Sequence, residues 1–156
     1  DNVLIVQTYS KSRSLAGMRI GYAMGNPELI RAMNDVRYSY NSYPMTRLSV
    51  ALGAAALEDE AYFRETVAKV IETREWTKKE LKRLGFAFRD SQTNFIFATH
   101  ESVPAQTIFD VLREKHIFVR HFGQKRIENY LRISIGTQAE MERFIRETEQ
   151  IIAQNR

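Results

Sequence analysis

The chain has 156 residues, enough for one ordinary domain with a sizeable core. Its net charge of +4 comes from 23 basic and 19 acidic residues interleaved along the chain, which suits solvated helix faces better than a nucleic-acid footprint. The absence of cysteine excludes a disulfide framework and a cysteine-bound metal. No apolar run approaches bilayer length and no basic-then-apolar leader opens the sequence, so a cytoplasmic protein is expected.

The apolar run Val3-Leu4-Ile5-Val6 predicts a buried strand over residues 3–8, and residues 18–24 predict a second. Between them lies Thr8-Tyr9-Ser10-Lys11-Ser12-Arg13-Ser14-Leu15-Ala16-Gly17-Met18-Arg19. A lone lysine in a serine-rich turn is ordinarily a solvated surface charge. Here a strand precedes it, hydroxyls surround it and an arginine follows eight positions later. Lysine is a nucleophile only as the neutral amine, a form that nearby positive charge or desolvation favours. Thr8 and Ser10 can donate hydrogen bonds to a phosphate, and the Arg19 fork can clamp it. Such a set suits pyridoxal phosphate, with Lys11 as the Schiff-base lysine beside a phosphate cup.

Gly25-Asn26-Pro27 ends the second strand, with Asn26 as cap and Pro27 opening a short helix to about residue 36. Residues 37–44, rich in tyrosine, show no helical period. They read as a base-stacking surface or as a loop whose tyrosines pack with wet hydroxyls. An alanine-rich helix follows over residues 46–58, and Gly53 in its interior points to a close approach by a neighbour. A long helix over residues 59–84 ends at Gly85; its apolar positions include Phe63, Val67, Val70, Ile71, Trp76, Leu81 and Leu84.

The remainder predicts an α+β unit of a few strands covered by helices on one face. Strands are expected at 86–88, 94–98, 117–120 and 130–135, with helices from Pro104 to Lys115 and from the Thr137/Glu140 capping box to about Ala153. In the last strand Leu131, Ile133 and Ile135 alternate with Arg132 and Ser134, so Arg132 points away from the core. It is then either solvated or a rigid bidentate site for a carboxylate. Arg120 is a strand-end charge or a second anion site. Asn94 is by itself a turn residue. His100, His116 and His121 lack metal-ligand spacing, so no metal site is expected and they read as surface or strand-end histidines.

Thr8-Tyr9-Ser10-Lys11-Ser12-x-Ser14-x-x-Gly17 followed by Met18-Arg19-Ile20-Gly21-Tyr22 resembles the lysine signature of fold-type I aminotransferases. Tyr40-Asn41-Ser42, Thr93-Asn94-Phe95-Ile96 and Leu131-Arg132-Ile133-Ser134-Ile135-Gly136-Thr137 fall in the order shown by the histidinol-phosphate aminotransferase group. The resemblance implies an α/β fold in three parts. Residues 1–58 would be the end of the large cofactor domain with an interface loop, 59–85 a connecting helix and 86–156 the complete small domain. It implies Lys11 as the catalytic lysine and proton carrier, and Thr8, Ser10, Lys11 and Arg19 as the pyridoxal 5'-phosphate site. Arg132 would bind the substrate carboxylate, Arg120 the substrate phosphate, and Asn94 would lie near cofactor and substrate.

The reaction implied is amino transfer between histidinol phosphate and 2-oxoglutarate by a homodimer, without nucleic-acid or membrane partners. Members of that superfamily are longer, so the chain is expected to be a C-terminal portion, inactive alone. Within the superfamily an aromatic amino-acid aminotransferase or an amino-acid-phosphate decarboxylase also fits. Outside it stands a basic RNA-binding module built on Tyr38, Tyr40 and Tyr43.

Overall fold

A computed structural model describes residues 2–155; Asp1 and Arg156, the outermost residues of the expected domains, lie outside that range. The chain divides into two compact units, Asp1–Val67 and Ala68–Arg156. Each carries its own antiparallel sheet. This is the mixed helix-and-sheet class expected.

In the first unit β1 (Leu4–Thr8) runs into a single helical turn, α1 (Tyr9–Ser12), then a 3-10 turn (Ala16–Met18) and β2 (Gly21–Gly25). β1 and β2 pair from Leu4↔Gly25 to Thr8↔Gly21, so the lysine segment joins two neighbouring strands. The second strand starts three residues later than predicted. Arg19 sits at φ +57°, a left-handed conformation that no strand can contain. The burial expected of β1 is not found either. Val3, Ile5 and Val6 are exposed, because β1 has apolar residues on both faces and a two-stranded sheet gives them no covering layer.

Asn26 caps α2 (Pro27–Tyr40), its side chain accepting from the Glu28 amide at 2.7 Å, with Pro27 in the first turn. The helix runs four residues past its predicted end and absorbs half of the tyrosine segment. Nothing between Val36 and Asn41 breaks it, and Ser39 Oγ donates to the Val36 carbonyl at 2.8 Å within the last turn. α3 (Arg47–Glu58) starts one residue later than predicted, because Thr46 is its N-cap. α4 (Glu60–Arg83) has 24 residues and is followed by Gly85 at φ +89°, where a side chain would be strained.

The second unit is a four-stranded sheet in the order β3-β4-β6-β5: β3 (Phe86–Phe88), β4 (Phe95–His100), β6 (Leu131–Ser134) and β5 (Arg120–His121). Alternation along β4 and β6 turns Ile96, Ala98, Leu131 and Ile133 inward. There they meet Leu81 of α4 and Leu84 just past its end, Ile108 and Leu112 of α5 (Ala105–Glu114), and Phe144, Ile145 and Ile151 of α6 (Gln138–Gln154). Burying each of these larger side chains contributes about 1.5–3 kcal/mol. The predicted capping box is present: Thr137 N–H donates to Glu140 Oε2 at 2.7 Å, and Glu140 N–H donates to Thr137 Oγ1.

Three expectations change in this unit. The strand predicted over 117–120 shrinks to Arg120–His121, since Ile117 N–H donates back to the Leu112 carbonyl at 2.8 Å and closes α5 instead of joining a ladder. Ile71, counted with the apolar face of α4, is exposed. His100 is buried. Its Nδ1 accepts from the Val103 amide at 3.1 Å, which leaves the proton on Nε2 to donate to the Leu84 carbonyl at 2.9 Å. It ties the end of β4 to the end of α4.

Candidate active site

The predicted site residues fall into two groups, one on each unit. Thr8, Ser10, Lys11 and Arg19 lie together in the β1–β2 connection. Thr8 is the N-cap of α1, with its hydroxyl oxygen accepting from the Ser10 amide at 3.1 Å and lying 2.8 Å from Ser10 Oγ, to which it donates. Ser10 therefore keeps its own hydroxyl proton for an outside acceptor. Lys11 is exposed, and among the described residues its amine makes no hydrogen bond or ion pair. Arg19 donates through Nη1 to the Ala16 carbonyl at 2.9 Å, leaving most of its fork open. Ser14 and Arg19 both have positive φ, at +56° and +57°. Such conformations are uncommon outside glycine and gather at functional sites.

The segment is held from beneath by α3. Ser49 is buried and donates through Oγ to the Met18 carbonyl at 2.9 Å. One turn later Gly53 leaves room for the neighbours it was expected to admit: a Cβ there would stand 3.0 Å from Ile20 Cδ1 and 3.8 Å from Tyr9 Cε2. Tyr9 and Ile20 are the buried apolar residues of this unit.

On the second unit, Arg120 and Arg132 are register partners across β5 and β6, and Phe97 partners Arg132 from the other side. Directly opposed residues project to the same face, so both guanidinium groups share the face of the sheet turned away from the core. Among the described residues neither makes a hydrogen bond or ion pair. Instead each lies over a ring, Arg120 at 5.5 Å from Phe122 and Arg132 at 5.6 Å from Phe95, within cation–π range. Phe97 stacks on Tyr130 at 4.7 Å to complete an aromatic floor. Asn94 precedes β4, and its carbonyl accepts from the Ile135 amide at 2.9 Å, just past the end of β6.

Sequence reasoning missed the support under Asn94. Arg74 and Lys78 of α4 are both buried. Lys78 Nζ donates to Asp90 at 2.6 Å and Glu75 at 2.8 Å, while Arg74 donates to the Thr93 carbonyl at 3.2 Å and to Glu75 at 3.0 Å. The two cations thus pin the 90–93 turn that delivers Asn94. Their carboxylates respond: Lys78 holds Asp90 and Glu75 below the ordinary carboxylate range. Burial pushes Lys78 down, but its hydrogen bonds to Asp90 and Glu75 outweigh it and raise it overall. The signal was the spacing, since 74, 78 and 81 fall on one helix stripe with buried Leu81.

A family model described as "Aminotransferase class I and II" matches residues 1–147. The chain belongs to that family. Among curated relatives, the chain is 49% identical over 152 residues to a histidinol-phosphate aminotransferase of Brachyspira hyodysenteriae and 50% identical over 151 residues to one of Clostridium botulinum. Each alignment covers 97% of this chain but 43% of the relative. The chain thus spans less than half the length of the curated relatives it matches.

Among solved structures it is similar to a histidinol-phosphate aminotransferase of Sinorhizobium meliloti in complex with pyridoxal-5'-phosphate. The TM-score is 0.82 at 32% identity, covering 98% of this chain and 42% of that one. A histidinol-phosphate aminotransferase of Clostridium acetobutylicum, at TM-score 0.85 and 20% identity, shares the fold.

Proposed function

We propose that the whole protein transfers an amino group from histidinol phosphate to 2-oxoglutarate, with pyridoxal 5'-phosphate bound on the first unit. The observation that carries this reading is the pair of guanidinium groups, Arg120 and Arg132, opposed on one face of the sheet and without a hydrogen-bond or ion-pair partner among the described residues. Like charges directly opposite destabilise a ladder. They are best explained by anionic ligands, and this reaction has two: a phosphate on one substrate and carboxylates on the other. Arg132 takes the α-carboxylate and Arg120 the phosphate.

The donor set on the first unit fits the cofactor. Ser10 offers a free hydroxyl proton and Arg19 an open fork, both donors suited to a phosphate, and Lys11 offers an exposed amine suited to a carbonyl carbon. Bound there, pyridoxal phosphate supplies an electron sink for the bond broken at the substrate's α-carbon. Lys11 Nζ removes the α-proton as general base and returns it as general acid. Arg132 orients the 2-oxoglutarate or glutamate partner by its α-carboxylate, Asn94 contributes to substrate binding, and Thr8 holds the turn that carries Ser10 and Lys11.

The assembly proposed with this chemistry is a cytoplasmic homodimer serving histidine biosynthesis. Residues 1–58 belong to the large domain, 59–85 to the connecting helix and 86–156 to the small domain. Among the described residues no helix is long and apolar enough to cross a membrane. Exposed Tyr38, Tyr40 and Tyr43 suit a subunit interface. The test is Arg120→Ala in the whole protein, with kcat/KM measured for histidinol phosphate and for phenylalanine. A loss confined to histidinol phosphate supports the reading, and an equal loss on both supports the aromatic aminotransferase, whose substrate the floor of Phe95, Phe97 and Tyr130 would also suit.

A further inference from the structure

Arg13 occupies a position in the lysine segment that neither the chemistry above nor the motif uses. Yet its side chain is only 13% exposed, in contrast to exposed Lys11 two residues before it. Its Nη1 donates to the Ala56 carbonyl at 2.7 Å, its Nη2 lies 3.5 Å from Glu60 Oε2, and its guanidinium carbon stands 3.7 Å from the centre of the Phe63 ring. One planar group thus engages the last turn of α3, the first turn of α4 and an aromatic face. Only the guanidinium fork can make all three contacts at once.

The placement along α1 gives this its meaning. Tyr9 and Arg13 are four residues apart, so they lie on one face of the turn, and Lys11 midway between them lies on the opposite face. Tyr9 is buried against the gap left by Gly53, and Arg13 reaches the carbonyl of Ala56. With Ser49 bonded to Met18, the contacts fall at 49, 53 and 56, which is one stripe of α3. Arg13 is also the C-cap of α1, its N–H turned back to the Lys11 and Tyr9 carbonyls. A four-residue helix has no stability of its own. What fixes the direction of Lys11 is therefore the grip on either side of it.

We propose that Arg13 is the positioning residue for Lys11, clamping its turn to the α3–α4 junction so that the amine is presented in one direction. This rests on the reading of Lys11 as the reactive lysine. A misplaced catalytic group can cost on the order of 100-fold in rate even when the mutation is away from the chemistry. Removing the clamp therefore acts on kcat rather than on substrate binding.

The experiment compares the unmodified whole protein with Arg13→Ala and Arg13→Lys. Pyridoxal phosphate is the probe, trapped on the protein with borohydride and mapped by peptide. In the unmodified protein the label falls on Lys11. In Arg13→Ala the trapping rate at Lys11 and kcat fall together, by roughly 10- to 100-fold, while KM for the amino donor stays within about twofold. Arg13→Lys recovers part of both.

If Arg13→Ala does not fold, Phe63→Leu removes only the ring and gives the same pattern in smaller measure. Label at another lysine in the unmodified protein overturns the reading of Lys11, and the clamp with it. Label on Lys11 with unchanged trapping rate and kcat in folded Arg13→Ala overturns the clamp alone. A lowered melting temperature with those two rates unchanged also overturns it, since a merely structural arginine would do that.

Discussion

Arg120 and Arg132 stand directly opposite one another across the β5–β6 ladder, each over a phenylalanine ring and, among the described residues, neither matched by a carboxylate. Such a pair costs stability, by roughly 0.2–1 kcal/mol for directly opposed like charges. Arg120→Thr is expected to raise the melting temperature of the ligand-free protein while weakening its use of a phosphate-bearing substrate by on the order of 1.5–3 kcal/mol. Thermal unfolding and kcat/KM on the same preparation check both halves.

The buried cations of α4 make a second expectation, on pH. Asp90 and Glu75 are held below the ordinary carboxylate range, so the stability they contribute is fully present above about pH 4, the unfolded value. It is lost as pH falls through their lowered folded values. Asp90→Asn should therefore narrow the gap in melting temperature between neutral and strongly acid solution. Near neutral pH the same variant loses the Lys78 contact and unlocks the 90–93 turn, which a raised KM for the amino donor would register.

Gly53 makes a third. Gly53→Leu should destabilise by about 1–3 kcal/mol, as overpacking does, and displace Tyr9 and Ile20. Gly53→Ala should be far milder. The nearest atom is the end of the flexible Ile20 side chain at 3.0 Å, and alanine gains about 1 kcal/mol of helix propensity. Denaturant unfolding of the two variants separates these outcomes.

Most of the secondary structure could be read from local chemistry. Asn26-Pro27, Thr46, Gly85 and the Thr137/Glu140 box mark helix ends because their side chains or φ values are needed there whatever the rest of the chain does. The alternation Leu131-Arg132-Ile133 gave the outward face of Arg132 for the same reason. What could not be read depends on partners far along the chain. Arg13 and Arg74 look like surface charges until Ala56, Phe63 and Thr93 are known to stand beside them. His100 needed the Leu84 carbonyl and the Val103 amide to become a core residue. Residues 117–119 have strand composition, yet the end of α5 claims the Ile117 amide first.

The proposed chemistry turns on Lys11 rather than on any other lysine, and Lys78 is the instructive contrast, buried and bonded to two carboxylates while Lys11 is exposed and has no partner among the described residues. The direct measurement is borohydride reduction of the whole protein with pyridoxal phosphate bound, followed by peptide mapping. The account predicts one reduced adduct, on Lys11, and its loss in Lys11→Ala. An adduct on Lys78 or Lys79, or one that survives Lys11→Ala at full yield, would contradict it.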